Sequence, residues 1–197
     1  MILAAHVVFS AYGFWLPNTK NGSWSEFVRS WELLRFGAAT KTDARRSVAK
    51  KPFDWEARDA ARRALMYPPV MFNGMQALAI ANGFLAAVRR MQCVLYACAI
   101  MPDHVHLVIG RHHYPIQQVA NLLKGAATNS LRKNGLDPFS GVPKGRVLPS
   151  PWAHGLWKVW LDSHEDVRRT IEYVENNPVK EGLKRQRWEL MVTEYPH

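Results

Sequence analysis

"QCVLYACAIMPDHVHLVIG", Gln92 to Gly110, decides how this chain folds. Two apolar runs of strand length are interrupted by Pro102-Asp103, a pair that favours a tight turn over a continued element. The stretch therefore predicts neighbouring antiparallel strands joined as a hairpin. The second run carries His104 and His106 on either side of Val105. Side chains alternate faces along a strand, so both imidazoles emerge on one surface and Val105 on the other.

Before the hairpin, "NGMQALAIANGFLAAVRRM", Asn73 to Met91, has the length and composition of a helix. Asn73 stands where an N-cap belongs, and two arginines occupy the last turn, where the helix dipole favours cations. Further upstream, "AAHVVFSAY", Ala4 to Tyr12, predicts a first strand ended by Gly13 and the turn-forming "LPNTKNGS". Between them lies Arg- and Ala-rich text with two helical pieces, "EFVRSWELLRF" and "DWEARDAARRALMY", around the basic connector "TKTDARRSVAKKP". This segment, at about 25–69, reads as a helical basic insertion within a single domain of 1–197.

After the hairpin, "PIQQVANLLKGAATNSLRKNG" predicts a helix opened by Pro115 and closed by Gly135. "LWKVWLD", Leu156 to Asp162, predicts another strand, and "SHEDVRRTIEYVENNP" a last helix with a capping-box pattern in Ser163 and Asp166. Pro178 is expected to end or kink that helix, because the residue before a proline is pushed out of the α region. The resulting fold class is α+β: a ferredoxin-like split βαβ with an antiparallel sheet, the insertion after the first strand, and a C-terminal helix.

Composition narrows the function. The 197 residues are 48% hydrophobic, ample for a packed core. No run of about 18 apolar residues exists, and the opening "MILAAHVVFSAYGFW" lacks a basic leader, so a cytoplasmic location without membrane contact is expected. Two cysteines, Cys93 and Cys98, are too few for a disulfide framework or a structural zinc site and read as buried free thiols. An excess of 26 Lys+Arg over 16 Asp+Glu gives a net charge of +10, which favours a polyanionic partner without choosing among DNA, RNA and acidic membrane.

The chemistry rests on a few side chains. His104 and His106 can ligate one divalent ion, although an H-x-H pair is also what two ordinary strand histidines look like. In "IEYVENNPVKEGL", Ile171 to Leu183, Tyr173 and Asn177 are four residues apart and share a helix face. Asn177 can add an amide oxygen to the two imidazoles, a donor set suited to Mg²⁺ or Mn²⁺. On residues alone, an ordinary half-buried helix tyrosine and a C-capping asparagine before proline are the favoured reading.

The combination resembles the HUH-type tyrosine transposases of small insertion sequences, and within them the REP-associated tyrosine transposases. The resemblance is carried by "AIMPDHVHLVIG", "LLKGAATNSL", "GLWKVWLD" and "IEYVENNPVKEGL", together with the opening "VVFSAYGFWLPNTKNGSWSEF". It implies that His104 and His106 are the HUH histidines and Tyr173 the nucleophile. Asn177 occupies the place of a third metal ligand that is often Gln in relatives, one methylene longer. Lys124 stands in the family's L-K element, where a cation near the bound strand is expected.

The implied activity is cleavage and rejoining of single-stranded DNA near hairpin, REP-like repeats. It would run through a 5′-phosphotyrosine, with Mg²⁺ or Mn²⁺ as cofactor, in a monomer or homodimer. Arg45, Arg46, Lys50, Lys51, Arg62 and Arg63 of the insertion are candidates to clamp such a hairpin, and Trp15, Trp24, Trp152 and Trp157 to stack on unpaired bases. Three other readings stay open: a domesticated hairpin-binding protein that no longer cuts, a metal-dependent phosphoesterase using water, and a replication or conjugative nickase.

Overall fold

The computed structural model describes residues 1–14, 55–142 and 148–196. Four strands form one sheet: β1 (Ala4–Ser10), β2 (Leu95–Ile100), β3 (His104–Gly110) and β4 (Trp157–Leu161). Their spatial order is β2-β3-β1-β4, with every neighbouring pair antiparallel. Helix α1 (Trp55–Arg63) precedes the long α2 (Gly74–Met91), which leads into the hairpin; α3 (Ile116–Lys133) links β3 to β4, and α4 (His164–Lys180) closes the series. This is the expected split βαβ arrangement with one additional C-terminal helix.

Alternation along β1 and β3 divides the core. Val7, Phe9, Val105, Leu107 and Ile109 face α2 and α3 and are almost wholly buried with Ile80, Phe84, Leu123 and Leu131. The other face is covered by α4, whose Val167 and Val174 rest on Ala4, Ala97, Ala99, Met101 and Val108. Small residues there let the last helix lie low on the sheet. Cys93 and Cys98 are buried free thiols, as their apolar neighbours predict.

The helix ends follow the sequence with one correction. Asn73 caps α2 in a complete capping box with Gln76. At α4, Ser163 Oγ accepts from the Asp166 amide and donates to the Asp166 carboxylate. Pro178, expected to end or kink α4, lies inside its final turn. The stop comes at Gly182, with φ of 73°. The Leu183 amide donates to the Pro178 carbonyl at 2.8 Å and the Gly182 amide to Val179 at 3.0 Å, the paired bonds of a Schellman cap. Proline lacks a donor but keeps its acceptor, and the cap uses that acceptor.

The chain beyond α4 covers the outer edge of β2. Gln186 donates through Nε2 to the Ile100 carbonyl at 2.6 Å and accepts the Ile100 amide at 2.8 Å. The Thr193 amide adds a bond to Leu95 at 2.7 Å.

Helices α2 and α3 meet at Gly83, where a Cβ would stand 2.6 Å from the Ala126 carbonyl oxygen and 2.7 Å from the Ala127 Cα. Gly83→Ala should therefore lower the unfolding free energy by about 1–3 kcal/mol despite alanine's better helix propensity. Gly125, also helical, meets nothing within 4 Å, so Gly125→Ala should stabilise by about 0.5–1 kcal/mol. Urea denaturation of the two variants checks both signs.

Candidate active site

The face of the sheet beneath α4 carries polar residues among its small apolar ones. In β1, His6, Val8 and Ser10 point toward that face; in β3, His104, His106 and Val108 do the same. The register sets Val8 against His106, His6 against Val108 and Ser10 against His104. His6 and His106 are thus diagonal neighbours across the central strand pair.

Three imidazoles form a chain of contacts. His104 Nε2 lies 2.9 Å from His106 Nε2. The far side of each ring is also engaged: His104 Nδ1 is 2.6 Å from Asp103 Oδ1, and His106 Nδ1 is 3.1 Å from His6 Nε2. The Phe14 ring stacks on His104 with an interplanar angle of 9°, and Trp157 meets His6 edge-on at 5.1 Å. His6 and His106 are each only 7% exposed.

The donor set fits a divalent ion. Octahedral coordination at about 2.1 Å puts adjacent ligand atoms about 3 Å apart, close to the 2.9 Å between the two Nε2 atoms. A carboxylate behind a ligating histidine is the usual supporting arrangement, and Asp103 supplies it for His104. Ser10 Oγ, buried opposite His104, has no hydrogen-bond partner among the described residues, an orphaned polar atom beside the same position. Among the described residues no group of three His, Cys, Asp or Glu side chains is placed to hold an ion. His6 contacts the nitrogen of His106 that faces away from His104. Among the described residues, a further protein ligand would be an amide or hydroxyl oxygen.

Helix α4 brings Tyr173 over this cluster. Its ring centroid is 5.8 Å from that of His106 and 5.9 Å from that of His6, and 43% of the residue remains exposed. Burial raises the phenol pKa, the Glu181 carboxylate raises it further, and a hydrogen bond from Asn177 opposes both. Lys180 Nζ sits 5.1 Å from the ring centroid. Asn177 is itself buried, and its described contact is with the phenol, one turn away.

Lys124 has a different setting from the one its sequence context suggests. It is 8% exposed, and Nζ donates to the carbonyls of Ala153 at 2.9 Å and Gly155 at 2.6 Å. It also lies 5.0 Å from the Phe9 ring centroid, on the face opposite Tyr173. Burial pulls its pKa down to about 8. The ammonium holds the segment before β4 against α3.

Trp152 is core, packed on Phe9 and Phe72 with its indole donating to the Lys124 carbonyl, and offers no face to a base. Arg62 and Arg63 are exposed in the last turn of α1, Arg63 paired with Asp59. Arg45, Arg46, Lys50, Lys51, Trp15 and Trp24 lie outside the described residues.

His6 and Asp103 are the members that sequence reasoning missed. A signal existed for each: a lone imidazole in the apolar run "AAHVVF", and an acid directly before the H-x-H pair.

Burial lowers the pKa of His6 to about 4, and burial followed by the neighbouring His104 and His6 lowers that of His106 as well. In the unfolded chain both titrate near 6.5. The unfolded state therefore binds protons that the folded state refuses, so this contribution is complete above pH 6.5 and is lost as pH falls toward 4. Thermal melts of the metal-free protein should show stability dropping by about 1.4 kcal/mol per histidine per pH unit through that window. His6→Gln should roughly halve the slope.

The family described as "Transposase IS200 like" matches residues 67–177, a span that contains His104, His106, Tyr173 and Asn177. Among solved structures, the chain is similar to a REP-associated tyrosine transposase bound to a REP hairpin, at 13% identity and a TM-score of 0.48, covering 94% of this chain and 73% of that one. It is also similar to a transposase candidate from Deinococcus radiodurans R1, at 14% identity and a TM-score of 0.39, covering 89% and 91%. No curated protein matches. With more than half of its length matched, including the histidine strand and the tyrosine helix, the chain belongs to the IS200-like transposase family.

Proposed function

We propose that this protein cuts and rejoins single-stranded DNA beside hairpin, REP-like repeats through a covalent 5′-phosphotyrosine at Tyr173, as a REP-associated member of its family. The observation that carries the proposal is the placement of Tyr173 over His106 while the two Nε2 atoms of His104 and His106 converge at 2.9 Å. His104 and His106 would hold Mg²⁺ or Mn²⁺, with Asn177 as the candidate third protein ligand. Bound there, the ion supplies Lewis-acid polarisation of a phosphate oxygen.

The chain's own residues supply the nucleophile and its orientation. The Tyr173 oxygen attacks phosphorus, forming a Tyr–O–P bond as the bond to the 3′-oxygen breaks; that oxygen takes a proton from water and leaves as a free 3′-hydroxyl. The phenol proton departs to water, which reaches a side chain that is 43% exposed. Asn177, donating to the phenol oxygen, stabilises the phenolate relative to the phenol. The phosphotyrosine conserves the ester, so a 3′-hydroxyl can reverse the attack without nucleotide hydrolysis. A net charge of +10 supports the approach of a polyanion. The exposed arginines Arg62 and Arg63, with Arg45, Arg46, Lys50 and Lys51, are the proposed clamp on the hairpin.

The deciding assay incubates purified protein with labelled single-stranded hairpins from the DNA flanking its gene, in Mg²⁺, Mn²⁺ or EDTA, on a denaturing gel. A metal-dependent protein–DNA adduct is expected, lost in Tyr173→Phe and in His104→Ala with His106→Ala. Tight binding without an adduct would favour a non-cutting hairpin binder, and cleavage surviving Tyr173→Phe a water-using phosphoesterase.

Glu181 offers a finer test. Its carboxylate raises the phenol pKa, so Glu181→Gln should shift the rising limb of the adduct-formation pH profile to lower pH and speed the reaction near neutrality. Single-turnover rates across pH measure this.

A further inference from the structure

We infer that His6 is a positioning residue that decides which nitrogen of His106 carries the proton, and thereby whether His106 can ligate a metal; this rests on the reading of His104 and His106 as ligands. A neutral imidazole has one N–H and one lone pair. His106 is buried and touches His6 through Nδ1 at 3.1 Å and His104 through Nε2 at 2.9 Å. Two patterns of protons are compatible with these three contacts.

In the metal-free pattern every proton points toward Asp103. His6 Nε2–H donates to His106 Nδ1, His106 Nε2–H donates to His104 Nε2, and His104 Nδ1–H donates to Asp103 at 2.6 Å. No buried ring nitrogen in these three contacts is left unpaired, but no lone pair is free for an ion. In the second pattern His106 carries its proton on Nδ1 and donates to His6 Nε2, while His6 carries its own proton on Nδ1. His104 keeps Nδ1–H on Asp103. Both Nε2 lone pairs then converge at 2.9 Å, a repulsive arrangement that a cation between them relieves.

Passing from the first pattern to the second conserves protons. His106 releases its Nε2 proton to water and receives the Nε2 proton of His6 on Nδ1; His6 takes one proton from water on Nδ1. Both rings start and finish neutral. His6 therefore acts as the acceptor that lets His106 present Nε2 without leaving a buried N–H unpaired, the role that Asp103 has for His104. Such outer partners typically change metal affinity by about 10–100-fold.

The test compares the full chain with His6→Gln, whose amide can accept from His106 Nδ1–H, and His6→Leu, which has no acceptor. Isothermal titration with Mn²⁺ reads affinity, and ¹H–¹⁵N long-range NMR with and without Mg²⁺ reads the His106 tautomer; melting curves verify folding. The expected result is near wild-type affinity for His6→Gln and at least tenfold weaker binding for His6→Leu. In the wild type, Mg²⁺ should move the His106 proton from Nε2 to Nδ1. Equal Mn²⁺ affinity in wild type and folded His6→Leu, or a His106 tautomer unmoved by Mg²⁺, would overturn the role of His6 alone. A wild-type protein that binds neither ion would overturn the metal reading and this inference together.

Discussion

Everything in the candidate site depends on the antiparallel pairing of β1 with β3 in one register. With Val8 opposite His106, the period of two places His6, His104, His106 and Ser10 on the α4 face and Val7, Phe9, Val105 and Leu107 on the other. A slip by one residue would drive imidazoles into the hydrocarbon core and push branched side chains of that core onto the face beneath α4. The burial that fixes the register also holds the catalytic candidates still.

That burial is costly for rings that titrate near neutrality in water. The structure offsets the cost by linking them to one another and to Asp103, so the three ring–ring and ring–carboxylate contacts lie between 2.6 and 3.1 Å. The candidate nucleophile is treated differently. Tyr173 stays partly open, its phenol held in the protonated form by burial and Glu181 and eased toward ionisation by Asn177.

Much of this was legible in the sequence. Strand and helix order followed from hydrophobic period and turn residues, and the shared face of His104 and His106 from alternation alone. His6 was not legible as a site residue, because its meaning comes from a partner 100 residues away. Asp103 was read for its turn propensity, which the hairpin does use. Lys124 shows a signal passed over: Ile116, Val119, Ala120, Leu123, Ala127 and Leu131 form the buried stripe of α3, and Lys124 falls inside it. Its cationic character suggested a DNA contact, but the helical period already marked it as interior. At Pro178 the missing donor argues for a break, whereas the K-E-G-L text that ends the helix lies one turn later.

Gly83 gives the molecule a mechanical asymmetry. Where α2 and α3 touch backbone to backbone, neither can slide or roll without steric collision, so the helical layer behind Val7 and Phe9 behaves as a stiff backing plate. The tyrosine helix meets the sheet through side chains instead: it rests on Ala4, Ala97, Ala99, Met101 and Val108, and is tied to the chain that follows by its capped turn and by the Tyr195–His164 and Arg185–Glu175 contacts. Any relative displacement of Tyr173 and the histidines would therefore be a movement of α4 on the front of the sheet, since His104 and His106 belong to the strand that the plate backs.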